Sequence, residues 1–247
     1  MKKILTYHSQ EEMISSAAAQ FISIGLAAIQ VRGRFSVTLS GGNTPKPLYE
    51  ILAGPDADLL DWDRVHFFWG DERCVPSNHP DSNFNQANQV FLKPRSIKNE
   101  NIHRIKAELQ PKEAARQYQE EILSYFQGKT PRFDLILLGM GSDGHTASLF
   151  PGSELVVGDL PSEDCLVASN WVPKLDAWRI TYTHHLINIA HNVLFLVSGE
   201  NKAKVLKSVL EGTPDHKLYP SRLIDPEEGD LTWLIDNEAA AELSEIN

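Results

Sequence analysis

An α/β fold, with a mostly parallel sheet flanked by helices, is what this sequence predicts, and three observations predict it. Strand-like and helix-like segments alternate along most of the chain. Phe133-Asp134-Leu135-Ile136-Leu137-Leu138 is an almost unbroken apolar run, the composition of a central parallel strand covered on both faces. The unusual glycines and charged residues fall just behind predicted strands, where open parallel sheets gather their ligands.

Taken in order, Ser9 and Glu12 have the spacing of a capping box and open a helix. Ile14, Ala18, Phe21, Ile22, Gly25 and Ile29 continue it at helical spacing. Residues 35–39 form a short strand stopped by Ser40-Gly41-Gly42. Thr44 at the N-cap and Pro45 in the first turn start a helix over 45–52. Residues 65–69 are a second strand, and 82–92 a polar-faced helix ended by Pro94. Pro111 opens a helix to 126, followed by Gly128. Beyond the 133–138 run, strands are expected at 165–168, 179–183 and 193–197, with a closing one at 231–235. Helices at 184–190 and 202–210 separate the last three. No repeat, low-complexity tract or Gly/Ser/Pro linker divides the sequence, so residues 1–247 are expected to be a single domain.

Hydrophobic residues make up 42% of the 247 and charged residues 23%, an ordinary globular profile. The net charge is −10 with no basic block, which argues against a nucleic-acid surface. Distant surface charge is screened beyond about 8 Å, so a local cluster of cations in a cleft can still hold a small anion. The start, Met1-Lys2-Lys3-Ile4, turns polar by Thr6, and no run of about 18 apolar residues is expected to span a membrane. Cys74 and Cys165 are far apart and form no metal-type pair, which fits a reducing, cytoplasmic setting. A monomer or weak dimer is expected.

Four constellations carry chemistry. The first, Ser40-Gly41-Gly42-Asn43-Thr44-Pro45, places glycines and a helix start behind a strand, so free N–H groups and a positive dipole end favour phosphate. It lacks the Gly-Lys-Ser/Thr ending of a P-loop, and a plain tight turn is the alternative. The second, Trp69-Gly70-Asp71-Glu72-Arg73, sets three charges directly after a buried strand. They are costly to desolvate unless they pair with each other or with a ligand. The third is Gly139-Met140-Gly141-Ser142-Asp143-Gly144-His145. Its glycines match a dinucleotide fingerprint, but Pro151-Gly152 arrives too soon for the long helix that motif must open. What remains is a glycine loop presenting Asp143 and His145 at a strand end, a base and the carboxylate that orients it. The fourth is a pair of late cations, Arg179 and Lys202, able to close on an anion; each alone also reads as surface charge. His184-His185, His191, and the group of Asp71, His79 and Asp81 lack a recognised ligand spacing, so no metal is expected. No cofactor is expected either.

Together these segments resemble the 6-phosphogluconolactonase branch of the family that also holds glucosamine-6-phosphate deaminases. The stretches are residues 39–45, 69–73 with 79–83, 138–151, 179–181 and 198–203, and Asp143-Gly144-His145-Thr146-Ala147-Ser148-Leu149-Phe150-Pro151 is the most specific. The resemblance implies a modified Rossmann-like fold and hydrolysis of a small phosphorylated sugar lactone. It makes His145 the base that activates water, with Asp143 and Asp71 orienting groups and Arg73 steadying the lactone or its oxyanion. Gly41, Gly42, Asn43, Thr44, Arg179 and Lys202 would bind phosphate. The deaminase branch is the rival, and its members carry Asn-Glu-Pro where this chain has Leu149-Phe150-Pro151. Ring opening and amine release need a further positioned acid, which Phe150 is not. A non-enzymatic sugar-phosphate sensor would need the glycine turn but not His145.

Overall fold

The computed structural model describes residues 1–158, 161–213 and 215–244. The elements are β1 (Lys2–Tyr7), α1 (Gln10–Arg32), β2 (Phe35–Leu39), α2 (Lys46–Ala53), β3 (Val65–Trp69), β4 (Asp71–Arg73), α3 (Asn83–Ala87) and α4 (Pro111–Tyr125). They continue with β5 (Leu135–Gly139), α5 (Glu154–Val157), β6 (Val167–Val172), β7 (Ala177–Tyr182), α6 (His184–Asn188), β8 (Asn192–Val197), α7 (Ala203–Leu210), β9 (Asp230–Asp236) and α8 (Asn237–Ala240). Six strands make one parallel sheet in the order β1-β9-β8-β5-β2-β3, flanked by helices.

The capping box holds α1 at its start. The Glu12 N–H donates to Ser9 Oγ at 3.2 Å, and the Glu12 carboxylate reaches back to the His8 N–H at 3.1 Å. At 23 residues, with an 18-residue window of mean hydropathy 1.6, α1 is long and apolar enough to match a membrane span by length and composition, contrary to the expectation from the sequence. Its stripe of Met13, Ile14, Ala17, Ala18, Phe21, Gly25 and Ala28 is instead buried against the protein. In the sheet, all of β2 and the first four residues of β5 are buried, as two-sided coverage demands. Phe195 and Trp233 stack across β8 and β9 with ring centroids 3.8 Å apart.

Three expectations need correction. The strand β1 is absent from the reading of the sequence because its pattern is that of an exposed edge, Lys2 and Lys3 included, rather than an apolar run. The segments at 165–168 and 179–183 do not join the parallel sheet. They overlap β6 and β7, and β7 pairs antiparallel with both β6 and β4 in a separate three-stranded sheet. Gly70 joins the two sheets, its N–H donating to the Leu39 carbonyl and its carbonyl accepting from the Tyr182 N–H. The helix after the first glycine turn starts one residue late, so that Pro45 takes the N-cap and Thr44 makes no side-chain cap. The 82–92 helix is present but widens into a π-helical turn at Asn88–Leu92.

Leu137 is fully buried in the central strand, whereas Val31 on α1 is 74% exposed. Leu137→Ala should cost about 2–5 kcal/mol in urea unfolding and Val31→Ala less than about 0.5 kcal/mol. Equal costs would contradict the burial described.

Candidate active site

The chain runs from β2 outward to β3 and then returns to β5 on the other flank of β2. The carboxyl ends of β2 and β5 are therefore the switch point at which such sheets leave a crevice. A cleft of about 250 Å³ opens there, and Asp71, Arg73, Asp143, His145, Phe150 and Arg179 are on its walls.

His145 is placed by three contacts. Its Nδ1 lies 2.5 Å from Asp143 Oδ1, and its ring stacks on Phe150 with centroids 4.0 Å apart. The third is against Gly141, where an added Cβ would lie 2.1 Å from His145 Nδ1 and 2.7 Å from Asp143 Oδ1. Only glycine lets the ring approach the backbone this closely. The loop closes on itself through the Gly141 N–H to the His145 carbonyl at 2.8 Å and the Thr146 hydroxyl to the Gly139 carbonyl at 2.8 Å. The second Asp143 oxygen accepts from the Lys174 ammonium at 2.9 Å. Burial works to raise the Asp143 pKa, but the His145 hydrogen bond and charge, with the Lys174 bond, outweigh it. They hold the carboxyl well below the ordinary carboxylate range. An ionised Asp143 accepts a hydrogen bond from the Nδ1–H and leaves Nε2 as the basic nitrogen.

The three charges of residues 71–73 part company because neighbours on a strand face opposite ways. Asp71 and Arg73 line the cleft. Glu72, 2% exposed, turns inward and accepts from the Arg73, Asn83 and Phe84 N–H groups and the Ser82 hydroxyl, at 2.7 to 3.0 Å. Burial pushes its pKa up against those hydrogen bonds. Its role is to tie the start of α3 to β4. Asp71 accepts from the Ser148 hydroxyl at 2.6 Å and the Asn83 amide at 3.1 Å.

Arg73 stands directly opposite Arg179 in the β4–β7 pair. Like charges so placed repel. Burial first, then the charge of Arg73, lowers the Arg179 pKa. Two arginines facing one cleft are an arrangement that an anion relieves.

The structure thus brings Asp71, Arg73, Asp143, His145 and Arg179 together. The glycine turn sits beside them, linked through Asn83. A Cβ on Gly41 would lie 1.8 Å from Asn83 Oδ1, so the turn packs on the side chain that also holds Asp71. The Gly42 N–H donates to Gln86 Oε1 at 3.3 Å, while Asn43 and Thr44 complete the turn. Lys202 heads α7 behind β8, the strand next to β5. Burial lowers its pKa and the charge of Asp143 opposes that; Lys202 is not among the residues on the walls of the cleft. Among the described residues, no three His, Cys, Asp or Glu side chains gather as a metal site.

Lys174 is the site residue that the sequence reading passes over. It lies on the turn between β6 and β7, and only the antiparallel pairing of those strands carries it to Asp143. Ser148 and Asn83 were within motif segments, yet their bonds to Asp71 cross 77 and 12 residues and have no local signal.

Comparison with known proteins follows the same lines. The family described as glucosamine-6-phosphate isomerases/6-phosphogluconolactonase matches residues 8–233. A 6-phosphogluconolactonase of Nostoc sp. is 44% identical over 221 residues, covering 88% of this chain and 88% of that protein. One from Synechocystis sp. is also 44% identical, over 87% of this chain and 88% of its own length. The solved 6-phosphogluconolactonase of Trypanosoma cruzi superimposes with a TM-score of 0.86 at 31% identity, covering 99% of this chain and 97% of that one.

A carboxylate with a depressed pKa stabilises the fold fully above its unfolded value of about 3.9, and that stabilisation fades as pH falls towards the folded value. Asp143→Asn should therefore show its full destabilisation in urea at pH 5, with the difference from the unmodified protein shrinking below about pH 4. A difference that grows on acidification would contradict an Asp143 held ionised.

Proposed function

We propose that this chain, which belongs to the glucosamine-6-phosphate isomerase/6-phosphogluconolactonase family, hydrolyses 6-phosphoglucono-δ-lactone to 6-phosphogluconate in the oxidative pentose phosphate pathway. The observation that carries the reading is the Asp143–His145 pair facing two arginines in one cleft. His145 Nε2 takes a proton from water, and the resulting hydroxide adds to the lactone carbonyl carbon. The oxyanion so formed is stabilised by Arg73. On collapse the bond to the ring oxygen breaks, and the His145 imidazolium returns its proton to that oxygen. Asp143 holds the ring and its charge throughout, Asp71 positions the substrate hydroxyls, and Arg179 with Lys202 and the turn of Gly41, Gly42, Asn43 and Thr44 binds the phosphate. The reading calls on no metal or cofactor, takes residues 1–247 as one domain, and places the protein in the cytoplasm, where the free thiols of Cys74 and Cys165 are at home.

The family name covers deamination as well, and Phe150 favours the lactonase reading over it. Its ring stacks on His145, and it stands where the resemblance puts the glutamate of the deaminases' Asn-Glu-Pro segment. The protein should release no ammonia from glucosamine 6-phosphate; release at rates comparable with lactone hydrolysis would establish the deaminase reading instead.

Two substitutions test the roles. His145→Ala should lower lactone turnover about a hundredfold or more while circular dichroism stays unchanged. Arg179→Ala should impair hydrolysis of the phosphorylated lactone far more than that of plain gluconolactone. Near-normal turnover in the first, or equal losses on both substrates in the second, would remove those residues from their roles.

A further inference from the structure

At the opposite, amino-terminal pole of the sheet a second cleft of about 470 Å³ opens between the end of α1, the start of β2, the segment behind α4 and the residue before β8. It shares no lining residue with the catalytic cleft. The strands between the two poles are five or six residues long, roughly 17–20 Å at about 3.3 Å per residue.

In a chain of net charge −10, this cleft gathers Arg32, Arg34, Lys129 and Arg132, with His191 beside them, around a single lining carboxylate, Asp134. That carboxylate is already engaged. It is 3% exposed and accepts from Arg32 Nε at 2.6 Å and from the Ser36 N–H and hydroxyl at 2.7 Å each. The Arg34 guanidinium carbon lies over the Tyr125 ring, 4.0 Å from its centroid, and one terminal nitrogen donates to the Tyr125 carbonyl at 3.3 Å. Arg132 donates to an exposed Glu228 with both terminal nitrogens, Nη1 to its carboxylate and Nη2 to its carbonyl at 3.0 Å each, while its Nε–H, buried in the wall, has no hydrogen-bond partner among the described residues. A buried donor left open is unfavourable, and an acceptor that reaches it removes the cost. Burial first, and then the charges of Arg132 and Arg32, push the His191 pKa down.

We propose that this second cleft binds a small anion bearing two or more phosphate charges, independently of the catalytic cleft. Guanidinium groups on Arg32, Arg34 and Arg132 suit phosphate oxygens by their forked geometry, and Lys129 adds a mobile point charge at the exposed rim. The volume is that of a ligand site for a molecule larger than inorganic phosphate.

Isothermal titration of ADP and of pyrophosphate into the full chain at low salt tests this, with adenosine as the uncharged control. The expected result is saturable binding of at least one of the two anions and none of adenosine. That binding should change less than about twofold in Arg179→Ala, which disables the catalytic cleft. It should weaken at least about tenfold in Lys129→Glu and in Arg132→Gln, with circular dichroism unchanged. Lys129→Glu alters only an exposed side chain, so it answers the question even if Arg132→Gln disturbs the fold. Saturable binding lost in Arg179→Ala but kept in Lys129→Glu would assign the anion to the catalytic cleft and overturn the proposal. So would binding of adenosine as tight as that of ADP, or no saturable binding of either anion.

Discussion

The contact on which the site depends is the hydrogen bond between Asp143 and His145, made over the bare backbone of Gly141. A five-residue turn brings the two side chains together, because Asp143 and His145 are two apart and Gly141 clears the space beneath them, and Ser221 pins the turn from outside by donating its N–H and hydroxyl to the Gly144 carbonyl. The local turn sets geometry, and the rest of the molecule sets protonation. Lys174 arrives from the antiparallel sheet to hold the other oxygen of Asp143, and Phe150 closes the free face of the imidazole. An aromatic face offers packing without a competing proton, so the nitrogen left for chemistry is Nε2.

Charge is distributed with equal economy. The segment 71–73 alternates as a strand must, and that alternation separates function from support: Asp71 and Arg73 face the cleft, and Glu72 anchors α3 from inside. The antiparallel pairing of β4 with β7 then sets Arg73 against Arg179. Two cations held in register repel each other, and a bound anion would relieve that repulsion.

How far the sequence speaks depends on the range of the interaction. The parallel sheet was readable because its strands are buried on both faces and therefore apolar throughout, as residues 135–138 show. The glycine turn, the histidine loop and the late cations could be read because each sits directly behind such a strand. β1 gave no apolar signal, being an exposed edge that gains its place only by pairing with β9. The small sheet escaped for a related reason, since local pattern does not distinguish a short strand that pairs antiparallel from one that joins the main sheet. Lys174 could not be found at all without that pairing, and the inward turn of Glu72 is visible only once residues 71–73 are known to be a strand.

The central claim is that the lactone carbonyl carbon lies over His145 while the phosphate lies against the cations. A crystal structure with 6-phosphogluconate bound measures this directly. The account predicts a carboxylate oxygen within about 2.6–3.2 Å of His145 Nε2, hydrogen-bonding distance for a base and the atom it delivered, with the phosphate on Arg179. A product bound the other way round, phosphate at His145 and carboxylate at Arg179, would contradict it.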